Sequence, residues 1–248
     1  MSRIVLTAAS RVGCVRTNNE DMVLAYDKFV RSEAYQTEFM TENSDRFLIA
    51  LADGMGGHNA GEVASADALA NLQFFFNDLP KGLSINEFNE MMLVWLDSVN
   101  SMIASKGILD PARAGMGTTL VAVAYYEGRY YWMNCGDSRL YRLRDGKLTQ
   151  LSTDHSLNTL QGEARHSNII TNCIGGGCKN SYLDLYEFTD NFLVGDTYLL
   201  CSDGLNDMVE NEDIERLMKE GSTANHLCEA AIEAGGYDNV STCVFSVM

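Results

Sequence analysis

The spacing of apolar positions changes along the chain, and each change predicts a different kind of element. Residues 3–9 and 22–26 have the character of short strands around the polar segment Gly13-Cys-Val-Arg16-Thr-Asn-Asn19-Glu20-Asp21. Residues 27–46 are polar, mixed and free of Gly and Pro, which predicts a loop or hairpin extension. Phe47-Leu-Ile-Ala-Leu-Ala52 is then apolar at every position, ends in Asp53 and runs into glycines at 54, 56 and 57. An unbroken apolar run of this length bounded by a glycine cluster predicts a buried strand that exits into a tight turn. From Ala60 to Phe76, strong helix formers present an apolar face through Val63, Leu69, Leu72 and Phe76. The next helix opens with the capping box Ser84-x-x-Glu87 and carries a stripe of Ile85, Phe88, Met92, Trp95, Val99 and Met102. Gly107 is its predicted stop.

The period then shortens to two. Thr118 to Tyr126, Arg129 to Cys135, Ser138 to Arg144 and Lys147 to Leu151 are β-type runs, with Glu127-Gly128 and Asp145-Gly146 as hairpin turns. Tight hairpins join antiparallel strands, which argues against a doubly wound parallel sheet. Thr197 to Ser202 is another buried strand that ends in Asp-Gly, here Asp203-Gly204. Residues 212–219 and 223–234 are helical in character, and the chain closes with a strand from Val240 to Val247. Two helices, a meander, two more helices and a last strand predict an α+β sandwich with helices on its outer faces. With 248 residues, two prolines, no low-complexity tract and no linker, residues 1–248 are expected to form one domain.

Charge and cysteine usage narrow the class. Eighteen basic against 34 acidic residues leave −16, which argues against nucleic acid or an anionic membrane as partner. No apolar run approaches the ~20 residues of a membrane span. Met-Ser-Arg-Ile-Val-Leu-Thr lacks the basic region and apolar stretch of a signal peptide, so a cytoplasmic location is expected. Seven scattered cysteines without a C-x-x-C pair suggest reduced thiols, not a disulfide framework or a zinc site.

Carboxylates recur where predicted strands meet turns: Asp21, Asp53, Asp137, Asp203 and Asp238. Any one of them is an ordinary turn residue. Five of them on a chain with four histidines and no zinc-type spacing suggest convergence on a shared cation cluster. Asp53 stands beside Gly54, whose carbonyl can approach a ligand closely. Such hard oxygen donors suit Mg²⁺ or Mn²⁺ better than zinc. Arg16, a few residues before Glu20 and Asp21, is the side-chain type that grips a phosphate bidentately.

In this combination the chain resembles the metal-dependent PPM (PP2C-type) serine/threonine protein phosphatases, particularly the bacterial single-domain members. The motifs are Arg16-x-x-Asn19-Glu20-Asp21, Asp53-Gly-Met-Gly-Gly-His58 with Ala60-Gly-Glu-Val-Ala-Ser65, and Gly117-Thr-Thr119. Gly136-Asp-Ser-Arg139, Asp154-His-Ser156, Ser202-Asp-Gly-Leu205 and Asp238-Asn239 follow in the family's order. The resemblance implies a four-layer α/β/β/α sandwich with a binuclear Mn²⁺/Mg²⁺ centre at one end of two mainly antiparallel sheets. It implies that Asp53 bridges both metals, that Asp203 and Asp238 complete one, and that the Gly54 carbonyl binds the other, with Glu20 and Asp21 holding its waters. It further implies that Arg16 binds the substrate phosphate and that Asp137 joins Asp203 in a weaker third metal site. The implied reaction is hydrolysis of phosphoserine and phosphothreonine in proteins by a metal-activated water, opposed in the cell by a Ser/Thr kinase.

Consistent with a water nucleophile, no Cys stands at C-x₅-R spacing and there is no G-x-S-x-G or P-loop. His58 or His155 could assist proton transfer or be structural. The rival reading is an inactive homologue that binds phosphoproteins; it would be marked by loss of Arg16 or of a metal carboxylate, and none is lost. A nucleotide-binding turn at 54–57 is disfavoured because G-x-G-x-x-G spacing is missing. Two departures from the family pattern stand out: Leu157 to Asn168 is short for a flap, and residues 27–46 are long.

Overall fold

A computed structural model of the chain describes residues 2–41, 45–56, 60–161 and 169–248. The first strands are β1 (Arg3–Arg11), β2 (Met22–Ala25), β3 (Lys28–Val30), β4 (Ala34–Met40), β5 (Arg46–Ala52) and the two-residue β6 (Gly54–Met55). Helices α1 (Gly61–Asp78) and α2 (Ile85–Leu109) follow. Next come β7 (Gly117–Thr118), β8 (Leu120–Tyr126), β9 (Arg129–Cys135), β10 (Arg139–Arg144) and β11 (Lys147–Gln150). The short helix α3 (Leu157–Gln161) precedes β12 (Ile174–Gly175), β13 (Asp184–Glu187) and β14 (Thr197–Cys201). Helices α4 (Asp203–Asn206), α5 (Asn211–Lys219) and α6 (Ala224–Glu233) lead to β15 (Val240–Val247).

The strands form two six-stranded sheets, β11-β10-β14-β15-β1-β4 and β13-β9-β8-β5-β2-β3, and a small sheet β12-β7-β6. The hairpins close as their turn residues predict. Glu127 and Gly128 have φ of 45° and 90°, and Asp145 and Gly146 have 51° and 73°, the left-handed pair that matches strand twist.

Strand β5 shows why an apolar residue stands at every position. Phe47, Ile49 and Leu51 point between the two sheets, where they meet Leu6, Tyr198, Leu200 and Phe245. Leu48, Ala50 and Ala52 point the other way, toward Leu69, Leu72, Phe76, Met92 and Trp95 of the helices. A strand buried on both faces loses its alternation. On the far side Leu199, Cys201 and Val244 pack under Leu205, Ile214, Leu227 and Ala231 of α4, α5 and α6. The layers are therefore α/β/β/α, as the motif resemblance implies.

Three local expectations are corrected. Of the loop or hairpin extension expected over residues 27–46, β3 closes a hairpin on β2, whereas β4 pairs with β1 in the other sheet, so this segment crosses between the sheets. Its alternating exposure belongs to an edge strand, which buries too little apolar surface to stand out in sequence. Gly107 does not end α2, which continues to Leu109 and stops at Asp110-Pro111. The glycine is required for another reason, since a Cβ there would lie 2.9 Å from the Arg113 carbonyl as the following turn folds back. The buried stripe of α2 also ends differently, with Ile103 in the core and Ile85 40% exposed. Of the short flap, Leu157–Gln161 is helical, and residues 162–168 and His58 lie outside the described residues.

Candidate metal centre

The ends of β5 and β14, the approach to β2, the turn before β10 and the approach to β15 bring the five aspartates to one end of the sandwich. Asp53 leaves β5 with its backbone clamped by β7 and its flank. The Asp53 N–H donates to Thr119 Oγ1 (3.0 Å), and its carbonyl accepts from the Thr119 N–H (2.9 Å) and the Thr118 hydroxyl (2.8 Å). The next residue must be glycine: a Cβ on Gly54 would lie 2.1 Å from the Gly61 carbonyl and 2.5 Å from that of Glu20. A Cβ on Gly61, the first residue of α1, would lie 2.8 Å from Glu20 Cδ. The two glycines thus let the Glu20 segment press against the start of the helix, whose Gly61 N–H donates to the Glu20 carboxylate.

The second Asp-Gly repeats this solution. A Cβ on Gly204 would stand 1.9 Å from the Asn239 carbonyl, and one on Gly13 would stand 2.2 Å from that of Asp238. Asn239 ties the loops together. Its Nδ2 donates to Val12 O (3.0 Å) and Asn18 O (2.8 Å), and its Oδ1 accepts from the Glu20 N–H (2.8 Å). Below it, Ser202 Oγ donates to Asp21 Oδ2 (2.8 Å), and Asn19 joins Ser10, which bonds Ser241.

Electrostatics show how closely the carboxylates converge. Burial pushes Asp53 well above the usual carboxylate range, and the charges of Asp21, Asp203, Asp137 and Asp238 push it further. Asp203 is likewise pushed well up by burial, then by Asp137, Asp207, Asp238 and Asp21. Burial raises Asp21 to about 6 against the hydroxyls of Ser241 and Ser202, and raises Asp137 to about 6. Asp21 Oδ1 and Asp203 Oδ1 are buried without any hydrogen-bond partner. An orphaned carboxylate oxygen is costly in a protein interior. An all-oxygen set with two such atoms fits a hard divalent cation. Among the described residues no three His, Cys, Asp or Glu side chains are closed tightly enough to hold a metal as they stand.

Arg16 is at the rim, on the loop after Gly13. It donates to Asp238 Oδ2 at 2.7 Å and is 54% exposed. Asp238, Glu20 and Asp53 hold its charge in place against the cost of burial. An exposed ion pair of this kind contributes little to stability, so the guanidinium is free to turn toward another anion.

His155 belongs to the scaffold. Its Nδ1 accepts from the Gly136 N–H (3.1 Å) and faces the Asn172 amide (2.8 Å), and its Nε2 faces Asp184 (3.1 Å). Both ring nitrogens are therefore engaged, and the ring pins the turn that carries Asp137. Arg139 of that turn is held by Asp154 through Nε (3.0 Å) and Nη2 (2.7 Å).

Two residues escaped the sequence reading. Arg31, at the crossing between the sheets, donates to Asp21 O (2.7 Å), Glu62 O (2.9 Å) and Ser65 Oγ (2.7 Å), and Ser65 Oγ donates to Glu20 O (2.5 Å). No motif announces it. Asp207 adds its charge to Asp137 and Asp203. Its signal is spacing alone, one helical turn after Asp203.

The protein phosphatase 2C family profile matches residues 31–232. The serine/threonine protein phosphatase PstP of Mycobacterium tuberculosis (strain ATCC 25618 / H37Rv) is 37% identical over 270 residues, covering 100% of this chain and 46% of that protein. The chain thus spans about half the length of that relative. Protein phosphatase PhpP of Streptococcus pneumoniae (serotype 2 strain D39) is 33% identical over 251 residues, with 95% of this chain and 94% of that protein covered. A solved structure of the PstP catalytic domain in complex with two manganese ions superposes with a TM-score of 0.75 at 36% identity, covering 99% of both chains.

Proposed function

Because the chain belongs to the protein phosphatase 2C family, we propose that it is a metal-dependent serine/threonine protein phosphatase whose residues 1–248 form one catalytic domain. The observation that carries the proposal is the clustering of buried Asp21 and Asp137 with partly buried Asp53, Asp203 and Asp238 near the exposed Arg16, with two buried carboxylate oxygens left unpartnered. The solved relative with two manganese ions supports Mn²⁺ or Mg²⁺ as the cofactor. In this reading Asp53, Asp203 and Asp238 would hold the cations together with the Gly54 carbonyl, Glu20 and Asp21. Asp137 and Asp203 would hold a weaker third ion, with Asp207 alongside.

When bound, the ions supply an activated water and offset charge on the phosphoryl oxygens. The rest is done by the chain. Arg16 exchanges its contact with Asp238 for the substrate phosphate and orients it. Thr118 and Thr119 keep the Asp53 backbone from moving as charge builds nearby, and His155 does the same for the turn of Asp137. The thiols offer no competing nucleophile at the core: burial pushes Cys201 and Cys228 up to about 12, so they stay protonated at neutral pH. The substrates are phosphorylated proteins, and an opposing Ser/Thr kinase is expected. No described helix is long and apolar enough to cross a membrane, and we place the protein in the cytoplasm on its composition.

The deciding experiment is turnover of phosphopeptide and p-nitrophenyl phosphate with Mn²⁺, with Mg²⁺ and with excess chelator. Chelator should abolish turnover and either metal should restore it. Full activity in chelator overturns the mechanism, and no activity with either metal favours the inactive phosphoprotein-binding homologue.

A further inference from the structure

The segment Cys173-Ile-Gly-Gly-Gly-Cys178 has no part in the proposed reaction, yet its geometry is specific. Gly175, Gly176 and Gly177 have φ of 75°, 60° and 79°. Three successive left-handed residues are open only to glycine, and they turn the chain back on itself. The Cys178 N–H closes the turn on the Gly175 carbonyl at 2.8 Å. Cys173 Sγ fills the space beneath it, so near that a Cβ on Gly176 would stand 2.7 Å from the sulfur. The Cys173 thiol donates to the same Gly175 carbonyl at 3.5 Å, so both cysteines are anchored on one atom of the turn. Cys173 is buried and Cys178 is partly exposed, so the two residues of the pair differ in their access to solvent.

We propose that Cys173 and Cys178 are a modification site, a dithiol that closes reversibly to a disulfide under hydrogen peroxide and acts on Asp53 through β7. The Cys178 sulfur attacks peroxide: an S–O bond forms, the O–O bond breaks and water leaves, giving a sulfenic acid. The Cys173 sulfur then attacks that of Cys178. The S–S bond forms, the S–O bond breaks, and the departing hydroxyl takes the Cys173 proton as a second water. Two thiols are oxidised and one peroxide is reduced. Cys173 is buried and Cys178 is partly exposed, so Cys178 meets peroxide first and Cys173 resolves it.

The turn is wired to the proposed metal centre. The Gly176 N–H donates to Met116 O (2.8 Å), and Ile174 and Gly175 pair with Thr118 and Gly117. Thr118 Oγ1 in turn donates to the Asp53 carbonyl (2.8 Å). Pulling the two sulfurs into bonding distance shifts the glycine turn, the most deformable part of this chain of contacts, and with it the clamp on Asp53. The effect on turnover rests on the phosphatase reading; the bond itself does not.

Both can be read on the full chain. Native protein is treated with hydrogen peroxide, alkylated and digested with trypsin, which releases His166–Lys179 with Cys173 and Cys178 as its only cysteines. The expected peptide is two hydrogens lighter, unalkylated and restored by dithiothreitol. Mn²⁺-dependent turnover of p-nitrophenyl phosphate should fall by about threefold or more and recover with dithiothreitol, while Cys178→Ser keeps its turnover in peroxide. A doubly alkylated peptide, or a bond from Cys173 to Cys135, overturns the pair. A closed, reversible bond with unchanged turnover overturns the coupling to Asp53. If the bond closes in a protein that has no turnover before oxidation, the phosphatase reading fails and the modification site stands.

Discussion

At the scale of single residues, Gly54 and Gly204 do the same work in two places. Each follows an aspartate out of a strand and meets the backbone of a segment that carries another carboxyl group: Glu20 for Gly54, and Asp238-Asn239 for Gly204. Gly204→Ala puts a methyl group 1.9 Å from the Asn239 carbonyl, a backbone atom that no side-chain rotation can move. The expected cost is about 3 kcal/mol in urea unfolding, at the upper end for overpacking. A loss below about 0.5 kcal/mol, the size of an ordinary surface change, would mean that the two loops are not held together as described. The aspartates and the arginine should separate kinetically. Asp53→Asn removes the residue proposed to hold both ions, so kcat should collapse, whereas Arg16→Ala should appear largely in KM. Near-native kcat in Asp53→Asn rules out the bridging role.

At the scale of elements, the crossing from β3 to β4 matters beyond its modest strands. It delivers Arg31 to the backbone of Asp21 and to the first turn of α1, through bonds of 2.7 and 2.9 Å. Burial lowers the Arg31 pKa while Asp21, Glu62 and Glu20 raise it, so the guanidinium is a half-buried charge held by its surroundings. Arg31→Met leaves the Asp21 and Glu62 carbonyls without this donor, which should cost about 1–3 kcal/mol. It should also weaken calorimetrically measured Mn²⁺ binding, because Glu20 and Asp21 are then positioned less firmly. Arg31→Lys keeps the charge but cannot span three acceptors, so it should restore only part of both. Unchanged Mn²⁺ affinity in a folded Arg31→Met protein would limit Arg31 to stability.

At the scale of the whole molecule, a net charge of −16 sits on a fold that gathers its buried carboxylates at one end. In the metal-free protein, burial first and neighbouring charge second raise Asp21, Asp53, Asp137 and Asp203 above their unfolded values. A carboxyl group raised on folding contributes stability that is fully present below its unfolded pKa and is lost as pH rises through its folded one. For Asp21 and Asp137 that window runs from the ordinary value near ~4 to about 6, and for Asp53 and Asp203 it extends higher. Chelator-treated protein should therefore unfold at a lower temperature at about pH 8 than at about pH 5.5, and Mn²⁺ should raise the midpoint most at the higher pH. Asp196 works with the opposite sign. Its burial is outweighed by Arg144, the Leu193 N–H and Tyr198, which hold it below the usual range, so its contribution is lost only in stronger acid. A metal-free midpoint that climbs steadily from pH 5.5 to 8 would contradict this account of the cluster.

What the sequence determined by itself was local. Hairpin turns at Glu127-Gly128 and Asp145-Gly146 and the capping box at Ser84 follow from contacts within a few residues, and the unbroken apolar run Phe47–Ala52 announces a buried strand without saying what covers it. The order of short motifs also carried the family, and with it the layer architecture. Tertiary structure decided what depends on segments far apart in the chain. Residues 27–46 look like a loop or hairpin extension because the edge strand β4 needs its partner β1 to be a strand at all. Gly107 looks like a helix stop until the Arg113 carbonyl is seen above it. His155 looks like a candidate proton carrier until Gly136, Asn172 and Asp184 are found around its ring. Arg31, Asp207 and the thiol pair of Cys173 and Cys178 have no periodic or motif signal, since their meaning comes only from neighbours that folding brings to them. Even the glycines after Asp53 and Asp203 were legible as turn residues, but the reason for them is a close approach of backbones 34 and 35 residues away in sequence, at Glu20 and at Asn239.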